Sequence, residues 1–480
     1  MSIKLSEYSK YDGLGLAKLV RDKEVTPNEL LETSIEGIKE LNPKLNCVYN
    51  ILYEQALKEI SNGLPDGPFR GVPFLIKEVV LHAAGVPVNM GSYLAEGLVF
   101  PYDTELMSRF RKAGLVTIGT TPTPEFAYNA TTEATFYGPT RNPWNTNHSP
   151  GGSSGGSAAS IAAGIVPLAH ANDGGGSIRI PASCNGLVGL KPTRGRTPTG
   201  PDYGEPLNGI GIEFALTKTV RDAASLLDSV AGSDPGCYAY AEPPQRPYSE
   251  EININPGKLR IAWMDNPLSG VSVDQECKDV LYETVKLCED LGHEMVEASP
   301  KIDVEMFSLA TLRIWAANLA NMMDGVATLL QRTPSEDNLE ATSWACYKFG
   351  KEMKASELLQ ALDIYTMVSR SVGNFFTNFD LLLSPTTARP PLPLGELNAN
   401  APGVDAKQWT EQIFTYAPFT NLFNTTGQPA ISLPLGWSKG GLPIGMQFAA
   451  RFADEATLFR LASQLEQSCP WKDKSPPVHF

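Results

Sequence analysis

The chain has no basic surplus, no patterned cysteines and no long apolar run. Its 39 lysines and arginines are outnumbered by 53 aspartates and glutamates, giving a formal net charge of −14. That balance argues against general binding to nucleic acid or anionic membranes, whose phosphates need cations opposite them. The seven cysteines (Cys47, Cys184, Cys237, Cys277, Cys288, Cys346, Cys469) are scattered without CxxC pairs. An odd, unpatterned set reads as reduced thiols of a cytoplasmic protein, not as a disulfide framework or a zinc site. No run of about 18 apolar residues occurs, so no membrane-spanning helix is expected. The opening MSIKLSEYSKYDGLG has no apolar h-region, so no signal peptide is expected. Internal repeats and low-complexity tracts are also missing.

What is present is a globular composition: 480 residues, 42% hydrophobic and 19% charged. That suffices for a substantial core, in one large domain or in two to three ordinary ones. The most unusual stretch is GGSSGGSAASIAAGIVPLAHANDGGGSIRIPA, from Gly151 to Ala182. Glycine in such numbers serves a backbone that needs positive φ or close approach. The first run, Gly151 to Gly156, precedes a small-residue segment that reads as a tightly packed helix. The second, Asp173-Gly174-Gly175-Gly176-Ser177-Ile178-Arg179, offers successive unencumbered N–H groups beside a hydroxyl. That combination suits a nucleophile lying against an oxyanion hole.

Upstream, Gly71-Val72-Pro73-Phe74-Leu75-Ile76-Lys77 is an apolar run of the kind that makes a buried strand. A lysine at its end is costly if charged and unpaired. At its reference pKa of about 10.4 it is protonated at pH 7, but desolvation among Phe74, Leu75 and Ile76 pushes it toward the neutral, basic form.

These motifs together resemble the amidase signature family, in which a GGSSGG run is followed by D-x-G-x-S-[ILVM]-R-x-P. The resemblance extends to Tyr137–Trp144 (YGPTRNPW), to Gly186–Thr193 (GLVGLKPT), and to the C-terminal NTTGQPAISLP and GLPIGMQF. It implies a single-domain, three-layer α/β/α fold around a mixed, mostly parallel twisted sheet. The nucleophile is then Ser177, with Ser153, in a cis peptide, relaying its proton to Lys77. The N–H groups of Gly174, Gly175, Gly176 and Ser177 form the oxyanion hole, and Asp173 and Arg179 hold the glycine turn by a charge-assisted contact. No cofactor and no metal are implied. The partner is a small-molecule amide, and a homodimer is compatible with the family. Glu78 departs from the aspartate common in relatives. The strings NPWN, AHANDGGGSIRIPAS and GLVGLKPTRGR resemble bacterial amidases of the 6-aminohexanoate cyclic dimer hydrolase type. They imply amides with a medium-length aliphatic or lactam-like acyl part.

The rest of the chain is read in that frame. Residues 1–65 form a helical N-terminal part, with Thr26-Pro27-Asn28-Glu29 as a helix start. Residues 66–230 are the signature core, and 233–257 a polar, proline-rich connector. Residues 258–480 complete the sheet, with a variable helical segment at about 303–375. The strand-helix-strand alternation over LRIAWM, CKDVLYETVKLCEDLG and HEMVEASP argues for an α/β sheet. In the loop after residue 120, Tyr128 and Asn129 are candidates for substrate contact or for loop packing. Arg313 is a candidate for meeting a carboxylate in the cleft, or a structural arginine.

Two alternatives share these residues. An α/β-hydrolase esterase would use Gly151-Gly152-Ser153-Ser154-Gly155 as its nucleophile elbow, but it needs a later histidine. His170, His293 and His479 offer no convincing loop context. The amidase subunit of a tRNA-dependent amidotransferase would keep fold and triad but take glutamine.

Overall fold

Side chains alternate along the strands and divide the interior into two cores. Ile261, Leu381, Leu383, Ile431, Leu433, Met446 and Phe448 belong to one apolar cluster. Their neighbours Ala262, Leu382, Ala430 and Ala449 belong to a second. The period of two places these clusters on opposite faces of one sheet, which gives a three-layer arrangement. The computed structural model describes residues 5–237 and 239–480. The expected N-terminal part and connector each extend over residues outside that description, Met1 to Lys4 and Tyr238.

The strands are β1 (Pro73–Lys77), β2 (Val116–Thr121), β3 (Leu168–Asp173), β4 (Val188–Lys191), β5 (Ile212–Thr217), β6 (Arg260–Trp263), β7 (Glu294–Glu297), β8 (Leu381–Pro385), β9 (Ala430–Trp437) and β10 (Pro443–Ala450). They form one sheet in the order β2-β1-β3-β5-β4-β9-β10-β8-β6-β7. The sheet is mixed, as expected, but it is not mostly parallel. The pairs β1–β2, β1–β3, β6–β8 and β6–β7 are parallel and lie toward the flanks. The five central pairs are antiparallel. Connection length gives the reason. β9 and β10 are joined by residues 438–442 alone, whereas a parallel pair needs a crossover of about a dozen residues or more. The β6-helix-β7 unit has such a crossover, in the helix Gln275–Asp290, and is parallel.

Local chemistry sets the helix starts. Thr26 Oγ1 accepts from the Glu29 N–H, and Glu29 Oε2 accepts from the Thr26 N–H, closing a capping box on the helix Pro27–Leu45. The segment at about 303–375 folds as three helices, Val304–Leu330, Ala341–Glu352 and Ala355–Phe375, which contribute to the second core. Parallel pairing of β1 with β3 brings their C-terminal ends to one edge of the sheet. Lys77 ends β1 and Asp173 ends β3, so both glycine-rich loops open there, outside the carboxyl ends of the strands.

Candidate active site

β1 is buried along its whole length, and Lys77 at its end is fully enclosed. Its Nζ lies 2.7 Å from Ser153 Oγ, 3.0 Å from Ser154 Oγ and 2.5 Å from Asn172 Oδ1. Burial pulls the lysine pKa down to about 7, although Glu213 and Asp173 act in the other direction. A solvated amine would stay protonated well above that.

The partners fix which atom offers what. Asn172 Nδ2 donates to the Val79 carbonyl at 2.6 Å, so its Oδ1 is the acceptor turned to the lysine. Ser154 Oγ donates to the Asn172 carbonyl at 3.3 Å, so toward Lys77 it too accepts. A neutral amine has two hydrogens and one lone pair. With its hydrogens on Asn172 and Ser154, the lone pair is left for the hydroxyl of Ser153. Asn172 and Ser154 were not singled out in the sequence. The available signal was on β3, where His170 and Asn172 alternate with Ala169 and Ala171 in a strand buried throughout. Polar groups on such a face need partners.

The Gly152–Ser153 peptide is cis, as the resemblance implies. The helix Gly155–Ala162 starts directly after it and is wholly buried, packed on β3 and β1. Its small residues permit that approach: a Cβ on Gly156 would lie 2.8 Å from the Pro122 carbonyl oxygen.

Ser177 follows β3 by the glycine turn and is 9% exposed. It lines a cavity of about 510 Å³ together with Ser153, Asn172 and Gly174. Arg179 grips Asp173 through Nε–Oδ2 and Nη2–Oδ1 bonds. Burial pushes the Asp173 carboxyl up, but Arg179 outweighs it and holds it at about 2. Asp173 in turn accepts from the N–H groups of Gly176 at 2.7 Å and Ile178 at 3.2 Å. Asp173 and Arg179 are therefore paired at the turn, with Asp173 bonded to two of its N–H groups.

The same contact corrects the expected oxyanion hole. The Gly176 N–H is committed to Asp173. Among the described residues, those of Gly174, Gly175 and Ser177 donate to no protein acceptor.

The expected substrate contacts lie elsewhere. Tyr128 is buried, stacks on Trp315 at 4.4 Å between centroids and bonds Thr410 at 2.7 Å. Asn129 donates to the Leu397 carbonyl and accepts from the Thr131 N–H. Phe126 and Ala127 line the cavity instead. Both have positive φ, +48° and +59°, and this kink carries the following residues into the packing. Arg313 pairs with Glu357 at 3.0 Å, on the neighbouring helix and away from the cleft. Glu78, the departure from the family pattern, accepts from Asn50, Asn89, Thr120 and Tyr137 and ties the loop after β1 to its surroundings.

No histidine is hydrogen-bonded to Ser153 or Ser177 among the described residues, which removes the basis of the nucleophile-elbow alternative. His170 accepts from the Lys77 backbone N–H through Nδ1 at 3.3 Å, and its Nε2 meets Glu213 at 2.7 Å. All seven cysteines are free thiols. Among the described residues no helix is long and apolar enough to cross a membrane.

Comparison with known proteins agrees with this geometry. The sequence profile of the Amidase family matches residues 29–459. The chain is 37% identical over 479 residues to a 6-aminohexanoate-cyclic-dimer hydrolase of Pseudomonas sp. (strain NK87), across 97% of this chain and 96% of that relative. A solved structure of 6-aminohexanoate cyclic dimer hydrolase complexed with substrate aligns with a TM-score of 0.94 at 35% identity, covering 98% of this chain and all of that one. A bacterial aryl acylamidase of the amidase signature family aligns with a TM-score of 0.86 at 26% identity over 96% of each chain. The profile spans most of the sequence and the fold is shared end to end: the chain belongs to the amidase family of carbon–nitrogen hydrolases.

Proposed function

We propose that the protein hydrolyses small carboxylic amides through a seryl acyl-enzyme on Ser177, as a free-standing enzyme or homodimer of the cytoplasm. The observation that carries the scheme is Lys77, with its pKa lowered to about 7 and its Nζ 2.7 Å from Ser153 Oγ. Ser177 attacks the amide carbonyl and gives its proton to Ser153, which passes its own to Lys77. The N–H groups of Gly174, Gly175 and Ser177 receive the developing oxyanion. The lysinium, through Ser153, then protonates the departing nitrogen. Water repeats the sequence on the ester and releases the carboxylate. The apolar side chains of Val79, Met90, Phe126, Leu207 and Trp315 in the cavity wall suit a medium-length aliphatic or lactam-like chain.

The test is covalent trapping with a serine-reactive fluorophosphonate and peptide mapping, on the intact enzyme and on Lys77→Ala, followed by turnover of hexanamide and of glutamine. The reading expects label on Ser177 that falls sharply without Lys77, and ammonia released from hexanamide. Label on Ser153 that ignores Lys77 would overturn the triad. Turnover of glutamine alone would move the site to the amidotransferase class.

A further inference from the structure

The cavity that Ser177 lines has four acidic side chains in its wall, Asp173, Asp202, Glu205 and Glu213, and no lysine or arginine among the described residues lining it. Asp173 is compensated by Arg179. Glu213 is not compensated by His170. That ring accepts from the Lys77 N–H at Nδ1, so its proton is on Nε2 and it is neutral.

In the same wall the acidic groups meet a second, independent feature. His82 is 1% exposed, and its Nε2 has no hydrogen-bond partner. Burial holds the ring below the usual histidine range, with Asp202 opposing. In the tautomer that carries its proton on Nδ1, Nε2 presents a lone pair. It lies 3.6 Å from Asp202 Oδ2, too far for a hydrogen bond between them. In that tautomer two acceptors share one space with no donor between. Tyr102 already donates to the other Asp202 oxygen at 2.6 Å. Phe100 stacks on the His82 ring at 3.9 Å, and Tyr102 meets it edge-on at 5.2 Å. Among the described residues no three His, Cys, Asp or Glu side chains gather for a metal ion. An organic cation fits better: an ammonium group brings N–H donors for both acceptors, a charge for Asp202, and attraction to the aromatic faces.

We infer that His82, Asp202, Phe100 and Tyr102 form a subsite for a protonated primary amine at the far end of the substrate chain, so that the preferred amides are cationic. The inference rests on the amidase reading and specifies its substrate. An aliphatic chain between the amide and the ammonium would lie along Val79, Met90 and Phe126, which line the same cavity. Amides ending in a carboxylate are repelled by the same wall.

Two measurements test this separately from catalysis. Calorimetry with hexylamine and hexanol on the intact enzyme reads the subsite without any turnover. Hexylamine should bind at least about tenfold more tightly than hexanol, and Asp202→Asn should remove that preference. Turnover of 6-aminohexanamide, hexanamide and 5-carboxypentanamide should fall in that order of kcat/KM, and Asp202→Lys should reverse it. The Asp202 side chain is 24% exposed, and circular dichroism establishes that both variants are folded. Equal binding of hexylamine and hexanol, or a preference that survives both Asp202 variants, overturns the subsite. Failure of the amidase reading is seen elsewhere, as an absence of Ser177 labelling and of hexanamide hydrolysis, and leaves the hexylamine result to be judged by itself.

Discussion

Arg179 and Asp173 face each other through two parallel N–H···O bonds of 2.9 Å each, with both side chains wholly buried. The guanidinium also donates to the Thr420 carbonyl, Gln447 Oε1 and Asn424 Oδ1. One side chain therefore anchors the turn before Ser177 to the C-terminal part of the chain. The planar fork is what makes this geometry available, and a lysine ammonium cannot reproduce it.

Arg179→Met leaves the Asp173 charge buried without its partner. Removing one member of a buried pair costs about 3–5 kcal/mol. The urea midpoint should fall accordingly, and fluorophosphonate labelling of Ser177 should slow because Asp173 no longer fixes the Gly176 and Ile178 N–H groups. Arg179→Lys should recover part of the stability and little of the labelling. An unchanged midpoint for Arg179→Met would show that the turn is held some other way.

The acid limb of kcat/KM should report Lys77. On the proposed scheme its protonation removes the base, so activity should be present at high pH and lost as pH falls through about 7. The stability sign follows from the same shift. Between about 7 and 10.5 the unfolded chain binds the proton that the folded protein gives up, so Lys77's contribution to stability rises with pH across that window. Lys77→Ala should abolish the limb in the labelling rate and flatten that part of the stability profile. A limb that persists in Lys77→Ala would assign it to another group.

Asn172→Asp places a carboxylate where the amide oxygen now lies 2.5 Å from Lys77 Nζ. An opposite charge that close raises a lysine pKa, by about 1–3 units in comparable pairs. The acid limb should move up by at least about one unit, with activity at pH 7 reduced and recovered at higher pH. The variant also gives up the Nδ2 bond to the Val79 carbonyl, so its stability should drop as well. A loss of activity that is the same at every pH would indicate a packing role only.

How much of this was legible depends on whether a residue acts within its own stretch or across strands. Ser153, Ser177 and the Asp173–Arg179 pair sit in runs whose glycines and hydroxyls are themselves the signal. Lys77 stood out because a charge ended an apolar strand. Ser154 and Asn172 act on Lys77 from 77 and 95 residues away, brought there by the helix Gly155–Ala162 packed on β1 and β3 and by the β1–β3 pairing. The loop reading missed the cavity by two residues because the left-handed kink at Phe126 and Ala127 leaves no mark that a sequence shows for those residue types. Arg313 fell on the wrong helical face. Trp315, Asn318 and Met322 line the cavity at helical spacing, and a position two residues before Trp315 points to the other side. The antiparallel centre of the sheet was readable from the short connection between β9 and β10, once connection length is weighed over the βα alternation elsewhere.

Adjacent glycines of the turn before Ser177 should differ in how they tolerate a methyl group. At Gly175 an added Cβ would lie 3.2 Å from the Phe414 ring, a side chain that can give by a few tenths of an ångström, and the backbone there is not left-handed. At Gly176 φ is +139°, and a Cβ would lie 2.5 Å from Thr420 Oγ1 and 2.7 Å from Ile180 Cδ1. Thr420 cannot retreat freely, because its hydroxyl donates to the Gly175 carbonyl at 2.5 Å. Gly176→Ala must therefore shift the turn and the Ser177 N–H with it. Misplacing one oxyanion donor costs about 10²–10³ in rate, so Ser177 labelling should fall by that factor in Gly176→Ala. In Gly175→Ala it should stay within about tenfold of the parent, since the backbone donor keeps its place. Circular dichroism and the urea midpoint establish that both variants are folded. Equal losses in the two would mean that the turn tolerates no side chain anywhere, and that the free N–H groups of Gly174, Gly175 and Ser177 are not the feature that distinguishes it.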